Sequence, residues 1–218
     1  MPILICSDRD GTMTDDENYY LGSHPDWPSQ VRILPGVIEG IRLLNTIPDS
    51  YFFMITNQPA VAVTHPSLAA LTEARVAEVN QFIVERLQQE GLRIDGFFSC
   101  PYAPAEYADR MQAKGFSVDP ARVIDGHPDY KPKIGMIEKA AQSAGRLLAE
   151  FSAVYVIGDR ELDVQAGLNA GGKGILVASS KTKEEGAIQK VERLREQYPE
   201  RVFVADDFLA AANWIADQ

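Results

Sequence analysis

The chain is expected to fold as an α/β protein with a doubly wound, mostly parallel sheet covered by helices on both faces. Three observations carry that expectation. Apolar runs of strand length recur along the 218 residues: ILICS (3–7), YFFMIT (51–56), GFFSC (96–100), AVYVIG (153–158), GILVA (174–178) and RVFVA (201–205). Most are continuous rather than alternating, the pattern of strands buried on both faces. Helical patterns separate them, and alternation of the two kinds over the whole length marks a parallel, Rossmann-like sheet.

The helices follow in order. GVIEGIRLLN (36–45) comes after Pro35, a residue suited to a first helical position. The segment 66–90 opens at Pro66, places Val76, Val79, Ile83 and Leu87 at helical spacing, and stops at Gly91. Residues 134–150, 161–170, 183–197 and 206–217 carry helical patterns too. Two stretches break the rhythm. Residues 13–34 are polar and aromatic and are expected to form a small flap or hairpin after the first strand. There Tyr19, Tyr20 and Trp27 either line a pocket or pack on the sheet. Residues 101–130 make a long loop, and long loops in compact domains are commonly functional or mobile. No large cap domain, repeat or linker interrupts the pattern, so residues 1–218 are expected to form a single domain.

The formal net charge of −10 disfavours nucleic acid and anionic membrane as partners. It leaves room for a small anionic substrate where a metal and a few basic side chains reverse the sign locally. Two cysteines, one of them (Cys6) inside the first apolar run, argue against a disulfide framework. No apolar run reaches about 18 residues and no export signal opens the chain, so a cytoplasmic monomer or small homo-oligomer is expected.

In open α/β sheets ligands bind beyond the carboxyl ends of the strands. The first run ends in Asp8-Arg9-Asp10-Gly11-Thr12 and the second in Thr56-Asn57-Gln58. The loop after the third delivers Tyr130-Lys131-Pro132-Lys133, and the fourth ends in Gly158-Asp159-Arg160-Glu161-Leu162-Asp163. One polar strand exit is weak evidence; four in succession are strong. Asp8 and Asp10 stand so close that they repel unless a metal, a basic side chain or solvent compensates them.

Those residues, in that order, resemble the haloacid dehalogenase (HAD) superfamily of aspartate-nucleophile phosphatases. DRDGT is similar to its DxDGT signature, TNQ to its Thr/Ser motif, KPKIGM to its lysine motif and GDRELD to its GDxxxD motif. The resemblance spans about residues 3–178 and is closer to the small-capped branch that contains histidinol-phosphate and heptose-bisphosphate phosphatases. It implies a Mg²⁺-dependent HAD-like phosphatase that hydrolyses a small phosphorylated metabolite through an aspartyl-phosphate, with either of those substrates as the pattern.

Phosphoryl transfer needs an in-line nucleophile, an acid for the leaving group and positive charge about the phosphate oxygens. Asp8 is the expected nucleophile. Asp10 would protonate the leaving alcohol and then activate water, Gly11 permitting the turn that brings the two acids together. Asp8 and Asp159 are the expected Mg²⁺ ligands, with the Asp10 carbonyl as a third by resemblance; Asp163 either ligates or orients metal-bound water. Thr56 and Lys131 would bind phosphate, with Asn57, Gly11 and Thr12 as further substrate contacts. Lys133 stands as an alternative to Lys131. Arg9 and Arg160 are each either a solvated charge or a local ion-pair partner, and His24, His65 and His127 are given no role.

Two departures from the branch stand out. Its structural zinc uses a Cys-x-His pair and a Cys-x-Cys pair, whereas here Tyr102 follows Cys100-Pro101 and no cysteine occurs after it. No structural zinc is expected. Tyr130 occupies the place of the arginine before the lysine motif, which puts both familiar substrates in question. The alternatives to an enzyme are a non-catalytic phosphate-ligand-binding or regulatory protein on the same scaffold, and a phosphoacceptor signalling domain.

Overall fold

A computed structural model describes residues 1–17, 20–178, 182 and 186–218. Tyr19 and residues 183–185 lie outside the described residues. Six strands form one parallel sheet: β1 (Ile3–Ser7), β2 (Ser50–Asn57), β4 (Gly96–Cys100), β6 (Ala153–Gly158), β7 (Lys173–Val177) and β8 (Val202–Ala205), ordered β4-β2-β1-β6-β7-β8. Ile5 sits in register with Phe52 on one side and Tyr155 on the other. The chain winds outward from β1 through β2 to β4, then returns to β1's other edge with β6. The crevice between β1 and β6 is therefore the point where strand order reverses, and where ligands bind in such sheets.

Alternation within continuous apolar strands fills both faces. On one, Ile5, Phe52, Met54, Tyr155 and Ile157 pack against α2 (Val37–Leu44), α3 (Glu73–Gln89) and α8 (Phe208–Ala216). On the other, Leu4, Cys6, Phe53, Ile55, Val154 and Val156 pack against α5 (Gly135–Ser143) and Ala166 of α6 (Glu161–Asn169). The remaining helix of the layer, α7 (Ala187–Gln197), sets Val191 against Val164, Leu176 and Val202.

Local chemistry moves several boundaries. The helix expected from Pro66 begins at Glu73, because the Thr72 hydroxyl accepts the Arg75 N–H at 3.1 Å and so caps it. Pro66–Leu68 is instead a single 3₁₀ turn. The pattern at 134–150 is divided after Ser143 by Gly145, whose φ of 73° ends the helix.

Residues 13–34 are tied down on both sides. Thr14 bridges Asp10 and Ile33, and the short α1 (Trp27–Gln30) buries Trp27 edge-on against Phe82 of α3, ring centroids 5.3 Å apart. Trp27 thus packs in the core, and Tyr20 lies against Leu71 and Val76. The 101–130 stretch holds α4 (Ala105–Ala113) and β5 (Ser117–Val118), which pairs antiparallel with β3 (Val63–Thr64). At its base the Tyr102 ring stacks on His127 at 4.3 Å, and the Cys100 sulfur lies 3.7 Å from His127 Nδ1. Among the described residues no helix is long and apolar enough to cross a membrane.

Candidate active site

The first strand ends by handing its backbone to β6: the Asp8 N–H donates to the Ile157 carbonyl at 2.8 Å. Beyond it the chain turns sharply. The Arg9 carbonyl accepts the N–H groups of Met13 and Thr14, both at 2.9 Å, and Gly11 takes a φ of 79°. A Cβ at Gly11 would stand 2.4 Å from Asp159 Oδ2, so only glycine lets this turn close on the β6 exit. At that exit a Cβ on Gly158 would lie 2.2 Å from the Cβ and Cγ of Asp163, in the first turn of α6. Two glycines thus press the carboxylates of Asp8, Asp159 and Asp163 into one place, and these offer ligand atoms within 4.8 Å of one another.

Lys131 completes the cluster. Its Nζ donates to Asp8 Oδ1 at 2.5 Å and to the Ile55 carbonyl at 3.3 Å, and pairs with Asp163 Oδ1 at 2.6 Å. Asn57 holds the lysine's main chain from both sides: its Oδ1 accepts the Lys131 N–H and its Nδ2 donates to the Lys131 carbonyl. The Lys131–Pro132 bond is cis. Lys133 is exposed, so Lys131 is the lysine at the cluster.

Burial governs the electrostatics. It pushes the Asp8 carboxyl up to about 7; Lys131 opposes this, while Asp163 and Asp10 reinforce it. For Lys131 burial works against the charge, but Asp163 and Asp8 outweigh it and hold the ammonium above the ordinary lysine range. One ammonium facing two carboxylates leaves a buried, oxygen-rich cluster with Asp159 beside it. Hard carboxylate donors in that arrangement are the set that Mg²⁺ or a similar divalent ion takes, so the three could hold a metal.

Asp10 faces a different neighbourhood. The buried Arg9 guanidinium grips it with two bonds, Nε to Oδ1 at 2.9 Å and Nη2 to Oδ2 at 2.8 Å. Gln58 Nε2 donates to Asp10 Oδ2 at 2.7 Å and to the Thr56 hydroxyl at 2.8 Å. Burial raises the Asp10 carboxyl, yet Arg9 and Gln58 prevail and hold it below the usual range. The carboxylates of Asp8, Asp159 and Asp163 thus converge as the expected side-chain ligands, while the Asp10 carboxylate turns to Arg9, the ligand expected from Asp10 being its carbonyl. Thr56 and Thr12 are buried, and the Thr12 hydroxyl has no hydrogen-bond partner among the described residues.

Arg9 is no solvated charge: it is 1% exposed. Its third bond runs from Nη1 to Asn80 Oδ1 at 2.7 Å, on a helix 71 positions away. Neither Asn80 nor Gln58 was assigned a role from the sequence. A signal existed for Asn80: it is a polar residue on the stripe of Val76, Val79, Ile83 and Leu87.

Comparison with known proteins accords with this geometry. Residues 130–211 match the HAD-hydrolase-like family. A D-glycero-beta-D-manno-heptose-1,7-bisphosphate 7-phosphatase of Mesorhizobium japonicum is 30% identical over 78% of this chain and 66% of its own length. The protein of the same name from Rhodopseudomonas palustris is 30% identical over 75% of this chain and 77% of its own. The crystal structure of D,D-heptose 1,7-bisphosphate phosphatase from B. bronchiseptica, complexed with magnesium and phosphate, shares the fold: TM-score 0.69, 24% identity, coverage of 100% of this chain and 99% of that one. At this level of identity across most of a relative's length, the chain belongs to the HAD-like hydrolases and is a phosphoric monoester hydrolase of that type.

Proposed function

We propose that the protein hydrolyses a small phosphorylated metabolite in a Mg²⁺-dependent reaction that passes through an aspartyl-phosphate on Asp8. One observation carries this reading: the carboxylates of Asp8, Asp159 and Asp163 meet within 4.8 Å around a lysine buried at the strand exits.

An Asp8 oxygen attacks phosphorus and the phosphorus–oxygen ester bond breaks. Asp10 gives its proton to the departing alcohol oxygen; the negative phosphoryl group, arriving beside it, opposes Arg9 and raises the carboxyl's affinity for that proton. In the second half Asp10, now ionised, takes a proton from water as the water oxygen attacks phosphorus and frees Asp8. Lys131 and the Thr56 hydroxyl bind phosphate oxygens, and the Gly11–Thr12 main chain and the buried Thr12 hydroxyl supply further contacts. Asn57 serves this site by holding Lys131 in place. A Mg²⁺ held by Asp8, Asp159 and the Asp10 carbonyl, with Asp163 beside it, would neutralise phosphate charge. No zinc is assigned to the 101–130 loop.

The relatives' names point to a sugar bisphosphate; a histidinol-phosphate-like substrate fits the same machinery. Residues 1–218 act as one hydrolase domain, with 13–34 as an anchored flap, in a cytoplasmic monomer or small homo-oligomer. The test is turnover of an aryl phosphate with Mg²⁺ and with EDTA, in wild type and in Asp8→Asn. Metal-dependent turnover that Asp8→Asn abolishes, with circular dichroism unchanged, is the expected outcome. An active Asp8→Asn protein overturns the mechanism, and tight phosphate binding without turnover in wild type favours the non-catalytic alternative.

A further inference from the structure

The grip on Asp10 extends beyond the site. Arg9 spends two of its guanidinium bonds on the Asp10 carboxylate and the third on Asn80 Oδ1. Both Arg9 and Asn80 are buried, at 1% and 0% exposure, while the Asp10 side chain keeps 30%. Asn80 stands among apolar neighbours on α3, and its Nδ2 is buried with no hydrogen-bond partner among the described residues. A buried amide that satisfies only one of its ends is a cost to folding. Its packing role would be served as well by leucine, so its distinctive contribution is the acceptor it offers to Arg9.

The geometry of the fork explains why that acceptor matters. A guanidinium bound bidentately to a carboxylate forms a planar unit. Held by that pair alone, Arg9 and Asp10 could swing together. Asn80 fixes the outer corner of the guanidinium to a long helix, and Gln58 fixes Asp10 Oδ2 from the β2 side. The carboxylate's plane and its exposed edge are thereby set from two elements of the fold.

We infer that Asn80 is a positioning residue for the reaction, acting through Arg9 to aim the Asp10 carboxyl at the leaving-group oxygen. This rests on the proposed acid–base role of Asp10, and the test separates the two ideas through the leaving group. An alkyl phosphate such as 2-glycerol phosphate needs its departing oxygen protonated; p-nitrophenyl phosphate needs this much less. In Asn80→Leu, kcat for the alkyl ester should fall about 10- to 100-fold, the range a misplaced acid costs, while kcat for the aryl ester and both KM values change less than about 3-fold. Asn80→Asp, which keeps the acceptor oxygen, should restore alkyl turnover to within about 3-fold of wild type. Equal losses on both esters, or no loss on either, overturn the inference, as does an Asp variant that folds yet behaves like Leu.

If Asn80→Leu does not fold, Arg9→Lys takes its place. It keeps the charge and loses the fork, and the same selective loss is expected; equal losses overturn the inference. Asp10→Asn is measured alongside. If it hydrolyses the alkyl ester as wild type does, the acid–base reading itself fails. If it loses that ester while Asn80→Leu retains it, only the positioning role fails.

Discussion

Replacing Lys131 with methionine removes a charge while keeping most of the side chain's bulk. Lys131 is 3% exposed, with its Nζ 2.5 Å from Asp8 and 2.6 Å from Asp163, themselves 10% and 2% exposed at the side chain. Removing one partner from a buried ion pair costs about 3–5 kcal/mol, because the partner left behind is a desolvated charge. For a chain of this length about 1 kcal/mol corresponds to 2–4 °C, so the midpoint of metal-free Lys131→Met should fall by about 6–20 °C at pH 8. The pH dependence has a definite sign. Burial raises Asp8 from 3.8 to about 7, so the folded protein holds a proton that the unfolded chain releases. That contribution is fully present below about pH 4 and is lost as pH rises through about 7. Lys131 lowers the Asp8 value, so in the variant it lies higher still, and the deficit against wild type should grow from pH 5 to pH 8. Denaturant melts in EDTA across that range measure it. A loss below about 1 kcal/mol at pH 8 would mean that lysine and carboxylates do not share a dry cluster, and the reasoning falls.

Gly158→Ala should push Asp163 off Lys131, since the added Cβ would lie 2.2 Å from it. Turnover should drop at least about 100-fold and stability by about 1–3 kcal/mol, and kinetics beside urea melts would detect a wild-type-like protein that disproves the close approach. Mg²⁺ at about 100 times its Kd should stabilise wild type by about 2.7 kcal/mol, read as a rise in thermal midpoint, and Asp159→Asn should lose most of that shift. Because the ion needs Asp8 ionised, its affinity should weaken as pH falls below about 7, and calorimetry in buffers of different ionisation enthalpy should show proton release on binding at pH 6. Proton-independent binding there would place the ion away from Asp8.

The strands were legible because a sheet covered on both faces leaves an unmistakable mark in continuous apolar runs such as Ile3–Ser7 and Ala153–Gly158. Helix starts were less so. At 66–90 the Pro66 signal competed with the cap at Thr72, and a cap is decided by one hydroxyl meeting one N–H, a geometry that pattern reading does not resolve. The α4 helix went unrecognised inside the long loop, although Ala108 and Met111 bury one face of it at helical spacing. Asn57 illustrates the limit at the site. Its place beside Thr56 suggested contact with phosphate, yet its amide is taken up at both ends by the Lys131 main chain, 74 positions on.

Apolar runs alternating with helical patterns, readable without coordinates, determined the α/β architecture, and the order of motifs at successive strand exits marked the acidic and basic residues at its open end and the kind of chemistry they suit. Which carboxylate meets which cation was decided by tertiary structure alone. Asp8 with Asp163 on Lys131, Asp10 with Arg9 and Gln58, and Arg9 in turn with Asn80, depend on side-chain directions at turns that Gly11 and Gly158 allow to close. Such pairings span from one to 123 positions along the chain, and the local pattern of a linear polymer carries no record of angles accumulated over that distance.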